Sequence, residues 1–293
     1  MTVRNHCRRP ASTIRPEETL LRAAERMAGE RVGTLVVTDD GRPVGMVTDR
    51  DVALGVVADG LGADVTRVAR LAAAPPVTAP EHLPLGEASA RMRGHGVRRM
   101  PVVDAQGRVV GVLAADDLVR LVAQELTALA DVAAEQVPLS VRPIGAASRE
   151  VEHYAKDVVV VTPETPVDEL ARRMRDAGVG CVVVALDDVP RGVVTDRDLV
   201  VRVVAKGLDP SATRASAVMS APVVTADARD PIPEVARVMS AHAVRRIPVT
   251  RDGRLWGIVT YDDLVAMLGA ELRNLGEGAR GAIARERQGT LPR

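Results

Sequence analysis

The sequence predicts an α/β (α+β) fold in which one strand–helix–strand–strand–helix unit of about sixty residues occurs four times. The first observation is a short string with four versions: "GMVTDRDV" at 45–52, "GVLAADDL" at 111–118, "GVVTDRDL" at 192–199 and "GIVTYDDL" at 257–264. The second is a constant step, because matched residues of the two halves are 147 residues apart, as for Thr48 and Thr195. The third is that helical and strand-like spacings of apolar residues alternate in the same order in each repeat.

In the first repeat, the elements follow from local patterns. A short extended piece ends at Ile14. The stretch 16–31 predicts a helix with Pro16 in its first turn, because four apolar residues share one helical face: Leu20, Ala23, Ala24 and Met27. The string "TLVVTDDGRPVGMV" predicts two strands around an Asp-Gly turn, and "DRDVALGVVA" returns to helical spacing.

The third repeat has the same order of elements. It predicts a strand at 158–161, a helix across 166–177, a strand "CVVVAL", a turn at 187–191 and a helix from Asp196. One repeat is small for an independent hydrophobic core, whereas two repeats packed face to face bury both sheets. We therefore expect the repeats to occur in pairs that are joined through their sheets.

Two pairs of repeats account for most of the chain. The expected boundaries are 1–62 and 63–128 for the first pair (1–128), 129–150 for a linker, 151–213 and 214–271 for the second pair (151–271), and 272–293 for a flexible tail. The linker reaches about 65 Å when extended. Both pairs can therefore pack as one flattened disc within a chain, and pairing between two chains in a homodimer is the alternative.

Composition narrows the class of protein. The formal net charge is zero, so bulk electrostatics indicates neither a nucleic-acid partner nor an acidic membrane surface. Cys7 and Cys181 are the two cysteines, which favours a reducing compartment over a disulfide framework. No apolar run approaches the ~20 residues of a membrane span, and the first residues lack the apolar stretch of a signal peptide. We expect a cytoplasmic protein.

The Thr and Asp of the repeated string predict a specific chemistry. A strand that ends at Thr48 and turns into a helix places its hydroxyl and the free N–H groups of the first turn towards an anion. Asp51 lies about one turn along the same face, and its carboxylate can accept hydrogen bonds from vicinal hydroxyls, as acidic residues do for ribose. This pattern predicts a nucleoside phosphate site. A capping box between the same residues is the competing interpretation, and the two are compatible.

Adjacent arginines form a second repeated feature. Arg98 and Arg99 stand at the start of an apolar strand, and Arg245 and Arg246 stand 147 residues later. A solvated surface charge needs no fixed position, so recurrence at one step favours anion binding, with ordinary ion pairs as the alternative. No Ser-His-Asp or Cys-His order, P-loop or metal-ligand spacing accompanies them, so the sequence predicts no catalytic residue and no metal site.

With these motifs, the chain resembles the cystathionine-beta-synthase (CBS) domain family in four copies, and therefore two Bateman modules. The string "TDRDLVVRVVAKGLDPSAT" at 195–213 is similar to hypoxic-response proteins, and the four-repeat layout is similar to the gamma subunit of AMP-activated protein kinase. The resemblance implies a non-catalytic regulatory protein that binds adenosine nucleotides (AMP, ADP or ATP) as regulatory ligands, with no obligatory cofactor, and that acts on a protein partner. A nucleotide-independent scaffold with the same fold is the alternative.

The resemblance also implies which residues bind the nucleotide. In the gamma subunit, an even-numbered repeat supplies its basic pair to the nucleotide held by the odd-numbered one. Carried over, Arg98 and Arg99 serve the first repeat, and Arg245 and Arg246 serve the third. The motif residues expected to bind are Thr48, Asp51, Asp117, Thr195, Asp198, Thr260 and Asp263.

The second repeat differs from the others, because Ala114 stands where they have Thr. Alanine has no hydroxyl for a phosphate and is a poor N-cap, so Asp117 is left without its usual companion. We therefore expect the sites of the first and third repeats to bind most strongly. The fourth-repeat site is expected to be intermediate, and the site at Asp117 weakest.

Overall fold

The computed structural model describes residues 1–72, 75–136 and 150–273, and it contains the predicted order of elements four times. Each repeat forms its own three-stranded sheet, in which a two-residue strand runs parallel to the first long strand of a hairpin. The predicted Asp-Gly turn is also present, since Asp40 and Gly41 both have positive φ between the two hairpin strands. The four-repeat α+β prediction is confirmed.

The helices and strands have the following bounds. The first repeat contains β1 (Thr13–Ile14), α1 (Leu20–Gly29), β2 (Thr34–Asp39), β3 (Arg42–Thr48) and α2 (Asp49–Val52), which continues as a π-helix over Ala53–Ala58. The second contains β4 (Ala79–Pro80), α3 (Leu85–His95), β5 (Arg99–Val103), β6 (Val109–Ala114) and α4 (Ala115–Gln136). The third contains β7 (Val160–Val161), α5 (Val167–Asp176), β8 (Cys181–Leu186), β9 (Val189–Thr195), α6 (Asp196–Arg202) and α7 (Ala215–Val218). The fourth contains β10 (Ala226–Asp227), α8 (Ile232–Ala241), β11 (Arg246–Arg251), β12 (Arg254–Thr260) and α9 (261–273).

Helix α1 begins later than the sequence predicts, and placing Pro16 in its first turn was wrong. Pro16 lies in a turn before the helix. Its carbonyl oxygen accepts a hydrogen bond from Ala69 N at 3.0 Å, while Leu20 N donates to Thr66 O at 2.9 Å. Because a neighbouring segment takes these backbone groups, they are not available for the i→i−4 bonds of a helix. Thr19 becomes the N-cap instead.

Replacing Thr19 by Ala is expected to lower the free energy of unfolding by about 1 kcal/mol. The Thr19 hydroxyl oxygen accepts a hydrogen bond from Arg22 N at 3.3 Å, and Ala leaves that N–H without its cap. Thr2→Ala is the matched control, because Thr2 also precedes a helix but makes no side-chain capping bond. Denaturant unfolding of both variants checks the difference. Equal losses of stability would show that the Thr19 cap contributes nothing measurable.

Each half of the chain exchanges short segments between its two repeats. Residues 1–8 lie on the second repeat, where Arg8 pairs with Val112, and residues 63–72 lie on the first, where Thr19 bridges Arg67. The second half repeats this arrangement. Lys156 bridges Ile258 of the fourth repeat, and Ser220 bridges Val193 of the third. The predicted boundaries at 62/63 and 213/214 divide the sequence into repeats. In the folded chain, however, a short segment from one side of each boundary packs on the repeat on the other side.

One hydrophobic core joins the first and third repeats. Helix α6 packs against α1 and α2, and α5 packs against the π-helix that follows α2. Leu20, Leu170 and Leu199 are fully buried there, and Arg50 pairs with Asp196 at 3.5 Å beside them. The two halves of the sequence therefore meet within one chain at this core, as expected for intrachain packing. The disc arrangement as a whole stays a prediction, as does the homodimer alternative.

The chain divides into two compact units. The first comprises Met1–Leu139, Val159–Val184 and Arg191–Ala221, and the second comprises Ser140–Val158, Ala185–Pro190 and Pro222–Arg293. The predicted linker starts in helix, because α4 extends to Gln136, and its residues 137–149 lie outside the described part, as does the predicted tail from 274. Within the described ranges, no helix has both the length and the apolar character needed to span a membrane.

Candidate functional site

Each motif lies where the last strand of a sheet turns into a helix. Thr48 ends β3 and caps α2, and Thr195 ends β9 and caps α6. Thr260 ends β12 before α9, and Ala114 ends β6 before α4. A strand end fixes the direction of the motif residue, and the first helical turn then brings the Asp three residues later back towards it. The same local design therefore presents four Asp side chains.

The Thr and Asp side chains form a complete capping box. In the first repeat, Thr48 N and Oγ1 donate to Asp51 Oδ2 at 2.8 and 2.7 Å, and Asp51 N donates to Thr48 Oγ1 at 3.3 Å. The third repeat shows the same three bonds at 2.9, 2.6 and 3.3 Å. In the fourth repeat they measure 3.0, 2.7 and 3.3 Å. The capping interpretation is confirmed as local geometry, and it uses only Oδ2 of each carboxylate.

The second repeat keeps half of this arrangement. Ala114 N donates to Asp117 Oδ2 at 2.9 Å, but no hydroxyl is present to complete the box. A cavity of about 570 Å³ lies beside Asp117, with Cys7 and Gln124 in its lining. Burial raises the pKa of the Cys7 thiol above its ordinary value. Low affinity at Asp117 stays a prediction, although this cavity has the size of ordinary ligand pockets.

The second carboxylate oxygen, Oδ1, distinguishes the four motifs. Asp117 Oδ1 pairs with Arg120, one turn along its own helix. Asp263 Oδ1 pairs with Lys156, which comes from the exchanged segment. Asp198 Oδ1 contacts Arg202 and a serine of the segment that crosses the third repeat. No side chain in the described part of the structure contacts Asp51 Oδ1 in this way.

The first residue of the motif has a role that sequence reasoning missed. A Cβ atom added at Gly111 would lie 2.7 Å from Arg8 O, and one at Gly257 would lie 2.7 Å from Lys156 O. At Gly192, it would lie 2.5 Å from the sulfur of Met219. In these three repeats, the motif glycine is therefore where the exchanged segment crosses the sheet. Its recurrence three residues before the Thr position was visible in the sequence and could have indicated this close approach.

The arginine pairs form contacts within their own repeats. Arg98 pairs with Asp116 at 3.7 Å, and Arg99 lies opposite Ala114 in the β5–β6 ladder. These contacts fit the ion-pair alternative, although Arg98 is well exposed and can rearrange. The expectation that Arg98 and Arg99 reach a phosphate at Asp51 stays a prediction.

The two adjacent arginines of the fourth repeat also form contacts within their own repeat. Arg245 pairs with Asp262 at 3.3 Å and lies over the ring of Tyr261, 4.9 Å from its centroid. Arg246 lies opposite Thr260 in the β11–β12 ladder. The part of both arginines in binding a ligand at the third repeat stays a prediction.

Comparison with known proteins identifies the family. The family model described as "CBS domain" matches four stretches of the sequence, at 3–57, 68–124, 149–205 and 215–270. The chain belongs to the CBS domain family. CBS domains are generally regulatory, non-catalytic modules, and the four stretches coincide with the four structural repeats.

Several CBS proteins are similar to this chain over different lengths. Hypoxic response protein 1 of Mycobacterium tuberculosis is 38% identical over 99 residues, which cover 33% of this chain and 69% of that protein. The Arabidopsis thaliana protein CBSCBSPB3 is 28% identical over 236 residues, covering 72% of this chain and 42% of the relative. The chain spans about half of the length of its first-ranking relatives, between 42% and 57%.

A solved structure supports the four-repeat CBS fold. Protein MJ1225 of Methanocaldococcus jannaschii, a proposed archaeal homolog of g-AMPK, aligns with a TM-score of 0.68. The alignment covers 92% of this chain and 100% of MJ1225 at 18% sequence identity. At that identity the likeness concerns the fold, and the ligand chemistry of this chain has to be argued from its own residues.

Proposed function

We propose that this CBS domain protein is a non-catalytic regulatory sensor that binds adenosine nucleotides, such as AMP, ADP or ATP, as reversible ligands. The motif Asp would accept hydrogen bonds from the ribose hydroxyls, and the motif Thr and the arginine pairs would face the phosphates. A ligand that favours one packing of the repeats over another would shift the population of the two, and a protein partner would respond to that shift. No catalytic step and no obligatory cofactor is part of this proposal.

The observation that carries the proposal is the hydrogen bonding of the Asp51 carboxylate. Its Oδ2 is held by Thr48 N and Oγ1, so the carboxylate has a defined orientation before any ligand arrives. Its Oδ1 is not engaged by any side chain of the described residues, and it can accept hydrogen bonds. An oriented, half-engaged carboxylate suits a vicinal diol, because the orientation is already fixed on binding. Ribose is the vicinal diol that every adenosine nucleotide carries.

Asp51→Ala is expected to weaken AMP binding by about 10- to 100-fold, because hydrogen bonds to a charged group contribute about 1.5–3 kcal/mol. 2′-Deoxy-AMP is expected to bind the unaltered protein more weakly than AMP for the same reason. Isothermal titration calorimetry measures both. Asp40→Ala serves as the control, because Asp40 is a highly exposed carboxylate in a hairpin turn of the same repeat. Equal affinity for the ribo and deoxy nucleotides would remove the ribose assignment.

The nucleotide-independent scaffold is the second candidate function. It is favoured by the capping boxes, which give the motif residues a structural purpose within the fold. Thermal unfolding with AMP, ADP, ATP and S-adenosylmethionine separates the two candidates. A ligand at 100 times its Kd adds about 2.7 kcal/mol of stability, which raises Tm by several degrees. Unfolding that is unaffected by all four compounds would favour the scaffold.

A further inference from the structure

We propose that the third-repeat motif is closed by side chains of its own chain, whereas the first-repeat motif is open. Of these two matched motifs, the one at Asp51 then binds an adenosine ligand and the one at Asp198 does not. This inference rests on the proposed function and adds which of two matched sites is used. It departs from the expectation from sequence, which places both sites in the strongest class.

Both oxygens of the Asp198 carboxylate are contacted by groups of the protein. A carboxylate offers about four lone-pair positions to hydrogen-bond donors. Thr195 N and Oγ1 occupy two of them at Oδ2. At Oδ1, Ser220 Oγ lies at 3.4 Å and Arg202 Nη2 at 3.3 Å. A ribose hydroxyl that approaches Oδ1 therefore competes with Ser220 and Arg202.

Arg202 is fixed in place by more than its ion pair. Its Nη1 donates to Val218 O at 2.7 Å, and its Nη2 donates to Ser220 Oγ at 3.0 Å. These contacts tie helix α6 to the exchanged segment that crosses the third repeat. The Arg202 side chain is 36% exposed and the Asp198 side chain 14%, so the pair is partly shielded from water. Displacing it would break three contacts together, which makes this closure firm.

The cations at the two even-numbered repeats are held less firmly. Arg120 is 67% exposed beside Asp117, and Lys156 is 69% exposed beside Asp263. Exposed ion pairs contribute little and exchange readily with solvent. A ligand could move Arg120 or Lys156 aside at small cost, and Arg202 only at a larger one. The contrast in closure is therefore greatest between the two odd-numbered repeats.

The matched positions of the first repeat carry smaller residues. The sequence has Gly55, Ala72 and Ala73 one 147-residue step before Arg202, Met219 and Ser220. None of the three has a side chain that can donate to a carboxylate. At all three positions the first repeat has the smaller side chain. The motifs themselves, "VTDRD", are identical in the two repeats. The difference between the two sites therefore lies in their surroundings.

Met219 adds bulk to the closure. Its sulfur and Cγ would lie 2.5 and 2.8 Å from a Cβ placed on Gly192, so the side chain fills the space directly over the motif glycine. The closure therefore includes an apolar side chain beside the strand that ends at Thr195. Ala72 at the matched position of the first repeat removes that bulk. Charge and volume thus act together at the third repeat.

The test is to open the closed motif and count bound ligands. Calorimetry with AMP on the full chain measures the number of sites in the unaltered protein and in the double variant Arg202→Ala/Ser220→Ala. The double variant is expected to bind one more AMP per chain, and adding Asp198→Ala is expected to remove that extra site. Arg172→Ala is the matched control, because Arg172 also pairs with an Asp four residues earlier on a helix of this repeat. It should leave the stoichiometry unchanged.

A second measurement applies even where the double variant does not fold. Crystals of the unaltered protein soaked in AMP are expected to show ribose density at Asp51, with Arg202 still paired to Asp198. Ribose density at Asp198 in the unaltered protein would overturn the closure and leave the proposed function standing. A double variant that folds but gains no site would also overturn it. Failure of AMP and other adenosine ligands to bind any of these proteins would remove the proposed function and the closure together.

Discussion

Leu199→Ala is expected to lower the free energy of unfolding by about 2–5 kcal/mol, as for other Leu to Ala changes in packed cores. Leu199 is fully buried in helix α6, within the core that joins the first and third repeats. Its removal leaves a cavity between α6 and the helices α1 and α2 that pack on it. The surrounding side chains come from both halves of the sequence, so local collapse of one helix cannot fill the space completely.

Urea unfolding followed by circular dichroism measures this loss. Leu208→Ala is the matched control, because Leu208 follows α6 in the same repeat but is 42% exposed. Its expected cost is below about 1 kcal/mol, since a partly exposed side chain loses less buried surface. Similar losses in the two variants would mean that the shared core contributes no more than a surface contact. That outcome would also weaken the case for packing of the two halves within one chain.

Gly111→Val is expected to cost about 3 kcal/mol or more, through overpacking and lost backbone hydrogen bonds. The new Cβ would lie 2.7 Å from Arg8 O and 3.0 Å from the Cys7 sulfur, and backbone cannot move aside as a flexible side chain can. The exchanged segment would have to lift away from β6. Arg8 and Val112 would then lose their paired hydrogen bonds, which measure 2.9 and 3.0 Å.

The control for this change has the opposite expected sign. Gly94→Ala places a Cβ in helix α3 with no heavy atom within 4 Å, so it should raise stability by about 0.5–1 kcal/mol. Thermal unfolding of the two variants gives the comparison directly. A loss at Gly111 no greater than that of an ordinary strand glycine would show that the crossing of residues 1–8 is loose. Ligand binding at Asp117 would then not depend on residues 1–8.

The crossing segments also bear on the response to a ligand that we propose for this CBS domain protein. The residues over Asp198 and Asp263, Ser220 and Lys156, belong to segments that are contributed by the neighbouring repeat in the sequence. A ligand that displaces such a residue changes the contacts that the segment makes with the repeat it crosses. Because coupling requires a contact that differs between two states, these segments are the part of each half best placed to provide one.

The sequence by itself determined the number, order and local structure of the repeats. The 147-residue step and the alternation of apolar spacings were enough to predict four sheets and their flanking helices, because these depend on neighbours within a few residues. The capping box between Thr48 and Asp51 was predictable for the same reason, since its bonds span only three residues. Membership of the CBS family follows from the same strings.

Only the tertiary structure decided where α1 begins and which separate segment contacts a motif Asp. Helix α1 starts at Leu20 because residues from 63–69 bind the backbone before it, and no local propensity records that contact. Thr48 and Thr195 stand in identical strings, yet Asp198 also accepts a hydrogen bond from Ser220, which a separate segment brings to it. The physical reason is distance along the chain. A hydrogen bond such as that from Ser220 to Asp198 joins residues 22 positions apart, and only folding brings its partners together.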